Sequence, residues 1–350
     1  MSTSEEYVVH TENLTKRYGE FTALQDLSIH VKRGEILGFI GPNGAGKTTT
    51  IKILVGLSRA TSGKATIAGV DCSENASKIK HLVGYMPDKF GSYDNMRVRE
   101  YLDFFGAVFG LKGSGRQKRI EEVMEVSNVS YMQDKFVESL SHGMQQRVGI
   151  ARTLLHDPEV LIFDEPANGL DPKARIEMRE ILLHLAAQGK TLIVTSHILP
   201  ELARICDTVA IVTGGRLQAF GQLDEVMRDL CPKRSYEVQL VDSGDMDNAT
   251  KVIASQISEE DRQGLDVSPQ ERTIRFPTAD TEAVLSGVLG KLIGAGVQVA
   301  QFREVAGDLE DAFLQVAAAP KTVDASPAET QVAEEEVEEM AIPLAEDDAE

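Results

Sequence analysis

The segment ILGFIGPNGAGKTT, residues 36–49, decides the fold of this chain. Ile36 to Ile40 read as a buried strand. The next eight residues, Gly41 to Thr48, match the G-x-x-x-x-G-K-[ST] pattern of a phosphate-binding loop between a strand and a helix. Gly41, Gly44 and Gly46 let backbone N–H groups curl around phosphates, and the helix that follows points its positive end at the same place. The candidate nucleotide cradle is therefore Gly41, Pro42, Asn43, Gly44, Ala45, Gly46, Lys47, Thr48 and Thr49. In it Lys47 reaches the β and γ phosphates and the Thr48 hydroxyl ligates magnesium. ATP and Mg2+ are the cofactors this implies.

Further along, Val160 to Phe163 reads as a second apolar strand that ends in Asp164 and Glu165. Carboxylates at the C-terminal end of such a strand stand where an open parallel sheet places its ligand chemistry. Asp164 is expected to hold magnesium, and Glu165 to orient and deprotonate the attacking water. Two acids after a strand also suit a solvated turn or a helix cap. Their pairing with the phosphate loop favours the catalytic reading.

Around these motifs, β-branched runs alternate with helical stretches from Tyr7 to Leu230, with turn signals at Gly214, Gly215 and Gly221, as in an α/β domain. After Pro232 the order changes to β-α-β-β-α-β, a ferredoxin-like α+β arrangement with a closing helix near residues 309–316. The expected division is an α/β nucleotide-binding domain over 1–230, an accessory domain over 231–318 and an acidic tail over 319–350. From Lys321 onward the chain carries eleven acids and one base, so this end supplies about half of the net charge of -19. With no aromatics there, the tail cannot bury enough apolar surface to offset its ordering entropy, and disorder is expected.

The acidity argues against a broad nucleic-acid surface, which needs clustered Lys and Arg. No apolar run approaches the roughly 18–20 residues of a membrane span. Three scattered cysteines, Cys72, Cys206 and Cys231, have neither metal-ligand nor disulfide-framework spacing and fit a reducing compartment.

The stretch ESLSHGMQQRVGIARTLLHDPEVLIFDEPANGLDP, residues 138–172, together with the phosphate loop, resembles the signature, its helix, the Walker B strand and the D-loop of the ABC ATPases, in family order. The likeness runs over Tyr7 to Leu230 and implies a P-loop domain with an inserted helical subdomain. It also implies that Ser141 and Gly143 meet the γ-phosphate of ATP held by the opposite subunit, helped by the dipole of a helix beginning near Met144. Asp171 corresponds to the aspartate that crosses the dimer interface, and His197 to the switch histidine on the γ-phosphate. Tyr18, in LTKRYG, corresponds to the aromatic that stacks on adenine.

Two positions depart from the family pattern. Asp88 stands where a glutamine is usual, and as a carboxylate it is a candidate magnesium ligand and metal sensor. His142 stands where glycine is usual, so the loop either keeps an ordinary backbone conformation or carries strain.

The chain carries one phosphate loop and one signature, and the resemblance implies that these sit too far apart to meet on a single nucleotide, so that two copies complete each ATP site. The expected partners are a second ATP-binding subunit, in a homodimer, and a separate transmembrane permease. The protein is then peripheral, on the cytoplasmic face of the membrane. The segment FREVAGDLEDAFLQV, residues 302–316, and Met144 resemble exporter-type relatives, which points to export of a drug, lipid, polysaccharide or similar cargo. A soluble ABC ATPase acting on ribosomes or DNA is the alternative. The absence of a second cassette, the absence of a long coiled coil and the acidity all oppose it. A small-molecule sensor or an extra dimer contact are the two readings of the C-terminal domain.

Overall fold

A computed structural model describes residues 7–88, 95–196, 199–230, 234–262 and 264–305. Two compact units divide the chain, 1–317 and 318–350, and every described residue belongs to the first. The acidic tail, the helix expected near 309–316, His197 and Cys231 lie outside the described residues.

In chain order the first part contains β1 (Tyr7–Tyr18), β2 (Phe21–Leu27), β3 (His30–Lys32), β4 (Ile36–Ile40), α1 (Lys47–Leu54), β5 (Ser62–Ile67), β6 (Val70–Asp71), α2 (Ala76–Leu82) and β7 (Val83–Met86). There follow α3 (Val98–Val108), α4 (Gly113–Val126), α5 (His142–Leu154), β8 (Val160–Phe163), α6 (Pro172–Ala187), β9 (Thr191–Thr195), α7 (Leu199–Leu202), β10 (Thr208–Thr213), β11 (Arg216–Gln222) and α8 (Leu223–Leu230). The last part holds β12 (Arg234–Leu240), α9 (Met246–Ala254), α10 (Glu259–Arg262), β13 (Asp266–Ser268), β14 (Thr273–Thr278), α11 (Glu282–Gly294) and β15 (Val299–Val305).

Among the described residues the strands form three sheets. The central one has the order β11-β10-β4-β9-β8-β7, parallel from β10 to β7, with β11 added antiparallel at one edge. Every residue of β4, β8 and β9 is buried. Alternate side chains feed two cores on opposite faces. Ile36, Ile40, Leu161, Phe163, Leu192 and Val194 enter one core, while Leu37, Phe39, Val160, Ile162 and Ile193 enter the other. Burial on both faces is why these strands read as continuous apolar runs rather than alternating ones. A second sheet, β2-β1-β5-β6 with β3 on β1, contributes to the second core. Helices α3, α4 and α5 supply Val98, Tyr101, Leu102, Ile120, Val123, Val148 and Ile150 to the first core, forming the inserted helical part.

Gly214 and Gly215, both at positive φ, form a two-residue turn that joins β10 to β11. Such a turn matches the right-handed strand twist and needs residues that tolerate positive φ. The third sheet has the order β13-β14-β12-β15, all antiparallel. With α9 and α11 crossing between its strands, this is the ferredoxin-like arrangement. Its core is separate, built on Val238, Ile253, Ile274, Phe276 and Leu292.

Candidate functional site

The parallel register places the relevant strand ends side by side. Phe39 of β4 pairs with Thr195 of β9, Val194 of β9 with Phe163 of β8, and Phe163 with Met86 of β7. The phosphate loop, the Thr195–Ser196 segment, Asp164–Glu165 and Pro87–Asp88 therefore leave the sheet along one carboxyl edge, where open α/β sheets bind ligands.

The loop between β4 and α1 is held from below. A Cβ on Gly41 would overlap the carbonyl of Val212, and one on Gly46 would lie 2.6 Å from Leu24 Cδ2 while the backbone there has φ +105°. Gly46 is the N-cap of α1. No side chain caps that end, and the first turn carries no acid. No side chain thus competes for the first-turn amides, which is the arrangement in which helix N-termini take anions. Lys47 is buried, and its Nζ donates to Gly41 O at 2.6 Å, curling back over the loop. Burial lowers its pKa below the ordinary value, while Glu165 and Asp164 act in the opposite sense as nearby negative charges.

Asp164, also buried, accepts a 2.7 Å hydrogen bond on Oδ1 from Thr195 Oγ1. The same hydroxyl accepts the Glu165 amide at 2.9 Å. Burial raises the pKa of Asp164 above the ordinary carboxylate value, the Thr195 hydrogen bond opposes this, and the charges of Glu165 and Asp88 add to it. Glu165 sits at φ +51°, a conformation that non-glycine residues adopt at a penalty of about 1–3 kcal/mol and that recurs at functional sites.

Asp88, two residues after the end of β7, accepts from Asn168 Nδ2 at 3.2 Å. Among the described residues no group of three or more His, Cys, Asp or Glu side chains is arranged to hold a metal by itself. The oxygen donors at this edge that would suit magnesium are the Thr48 hydroxyl and the Asp164 carboxylate, and phosphate oxygens would complete the set.

The remaining candidates are dispersed. Ser141 is the exposed N-cap residue of α5, and Gly143 lies in its first turn. That helix starts at His142, two residues before the expected start, because His142 takes a helical conformation and is not among the positive-φ residues. The glycine-to-histidine departure therefore introduces no strain of that kind. Asp171 is the N-cap of α6 and accepts from Ala174 N at 2.9 Å, with Pro172 at the first helical position. Tyr18 ends β1 with 44% of its surface exposed and Lys16 Nζ 4.7 Å from its ring centre. Thr195 and Asn168 were not expected from the sequence. Their contacts span 31 and 80 residues, and no local pattern signals them.

The sequence profile of the family described as ABC transporter matches residues 24–168. The probable multidrug ABC transporter ATP-binding protein YbhF of Escherichia coli (strain K12) is 39% identical over 224 residues, which are 63% of this chain and 38% of that protein. The chain thus spans well under half the length of that relative. The bacitracin transport ATP-binding protein BcrA of Bacillus licheniformis is 41% identical over 239 residues, 67% of this chain and 76% of the relative. A solved dimeric structure of a bacterial ABC transporter cassette superposes with a TM-score of 0.56 at 26% identity, covering 61% of this chain and 98% of that one.

Proposed function

This chain belongs to the ABC transporter family, and on that premise we propose that it hydrolyses ATP to power export of a substrate through a separate membrane permease. The observation that carries the proposal is the convergence of an uncapped helix N-terminus, buried Lys47, buried Asp164 and strained Glu165 at one sheet edge.

The chemistry follows from those groups. Backbone N–H groups of the 41–46 loop and the positive end of α1 bind the β and γ phosphates. Lys47, now folded onto Gly41 O, exchanges that carbonyl for phosphate oxygens. Phosphoryl transfer gains mostly from positioning and from charges aimed at the developing negative oxygens, and both are prebuilt here. Thr48 and Asp164 would hold magnesium, which screens phosphate charge when bound, with Asp88 as a further acid on the same side. Glu165 takes the proton of the attacking water, its backbone held by the hydrogen bond from its amide to Thr195 Oγ1. Tyr18, on an exposed strand end, offers a ring face to the adenine. His197 is proposed as the residue on the γ-phosphate.

Ser141, Gly143 and the head of α5 are assigned to the nucleotide of a second copy, with Asp171 crossing between the copies. The dimeric cassette that this chain resembles supports that reading. Among the described residues no helix is long and apolar enough to cross a membrane. The export lean rests on the likeness of residues 302–316 and of Met144 to exporter-type relatives, and the multidrug and bacitracin transport relatives agree with cargo of that kind. On this reading the protein sits peripherally on the cytoplasmic membrane face, held by the permease. Residues 231–318 are proposed as an accessory domain.

Phosphate release by purified full-length protein tests the proposal. Magnesium-dependent hydrolysis that Lys47→Ala abolishes is expected. A parent protein that binds no ATP, or a Lys47→Ala variant that hydrolyses at the parent rate, contradicts it.

A further inference from the structure

The two departures from the family pattern, Asp88 and His142, lie on opposite sides of one residue, Asn168. Asn168 donates from Nδ2 to Asp88 Oδ1 at 3.2 Å, and its carbonyl oxygen lies 3.0 Å from His142 Nε2. A carbonyl only accepts, so the ring carries its hydrogen on Nε2. The Asn168 amide donates in turn to Glu165 O at 3.0 Å.

The surrounding backbone fixes this arrangement. Glu165 at φ +51° and Gly169 at φ +68° bracket Asn168 and give the turn a specific shape. A Cβ on Gly169 would lie 3.4 Å from His142 Cδ2, so the imidazole rests directly against that residue. One position on, a Cβ on Gly143 would lie 3.2 Å from the Ala174 Cβ and 3.5 Å from Leu170 Cδ2. The head of α5 is thus seated on the 168–174 segment.

We propose that Asn168 is a positioning residue that couples Asp88, beside the chain's own phosphate site, to His142, at the head of the helix that serves the partner's nucleotide. Its side chain reads the position of Asp88 and its carbonyl holds the imidazole, so a shift at one end is passed through a single residue to the other. The inference rests on the two-subunit reading above.

A double-mutant cycle tests it, with full-length protein and with kcat, KM and equilibrium ATP affinity measured for each variant. In the parent background, Asp88→Ala and His142→Ala combined are expected to depart at least about threefold from the product of their separate effects on kcat, since residues in one hydrogen-bond network couple. In an Asn168→Ala background the same pair is expected to multiply within about twofold. ATP affinity, which reports on the chain's own phosphate loop, is expected to change less than kcat. His142→Gln, which keeps an N–H donor, should restore most of the turnover lost in His142→Ala. Independent effects in the parent background, or equal coupling with and without the Asn168 side chain, overturn the proposal while leaving ATP hydrolysis intact. A parent without hydrolysis overturns both this proposal and the reading beneath it.

Discussion

Thr195 Oγ1 donates a 2.7 Å hydrogen bond to Asp164 Oδ1, from the strand next to the one that carries the acid. Because that hydroxyl also accepts the Glu165 amide, one buried threonine orients two successive carboxylate-bearing residues. Thr195→Val keeps the shape and removes both bonds. Turnover is expected to fall about 10–100-fold, the usual effect of removing a partner that orients a metal-binding or reacting group. Steady-state hydrolysis by a variant with a parental circular dichroism spectrum checks this. Unchanged turnover would show that the carboxylates need no such support.

Asp164 gives the nucleotide-free protein a pH signature. Burial, with Glu165 and Asp88 nearby, raises its folded pKa above 3.8, so the folded chain binds its proton more tightly than the unfolded chain does. Stability from this group therefore declines as pH rises through the window between 3.8 and the raised value, and at neutral pH the charged carboxylate is a standing penalty. Asp164→Asn keeps an oxygen for Thr195 and loses the charge. Without nucleotide it is expected to melt above the parent at neutral pH, with the gap narrowing as pH is lowered toward 3.8. Thermal melts across that range measure it.

Glu165→Gln preserves size and a polar contact while removing the proton acceptor. A general base contributes about 100–10,000-fold, so hydrolysis is expected to fall within that range. ATP affinity should stay within a few-fold of the parent, because the cradle of residues 41–49 is untouched. Filter binding with labelled ATP, beside phosphate release, separates the two effects.

Gly38 lies in the middle of β4, where an added Cβ would lie 2.6 Å from Cys206 Sγ and 3.4 Å from Val209 Cγ1. The thiol is buried and has little room to yield. Gly38→Ala should therefore destabilise the fold by about 1–3 kcal/mol, as overpacking does. Adding Cys206→Ala removes the colliding sulfur and should recover part of that loss, which chemical denaturation of both variants would reveal.

How much was legible in the sequence follows from where each interaction lies. The limits of β4 and β8 could be read because both strands are buried on both faces, and nothing polar interrupts them before the functional residues begin. The β-α-β-β-α-β order after Pro232 was legible from alternating runs, and the sheet order β13-β14-β12-β15 follows that topology. The start of α5 was not, since a histidine at a glycine position leaves open whether the backbone is helical or left-handed. Asn168 carries no local signal because its partners, Asp88 and His142, are distant in sequence and adjacent only through the fold. The left-handed turn at Glu165 had no glycine to announce it.

The central claim is that ATP is held between the phosphate loop of one copy and the Ser141 end of another. Sedimentation velocity of Glu165→Gln, with and without magnesium and ATP, tests it most directly. Nucleotide-dependent conversion from monomer to dimer, blocked when Ser141→Arg is added, is the predicted result. ATP binding at full affinity with no change in sedimentation, or dimers that form equally well with Ser141→Arg, would contradict it.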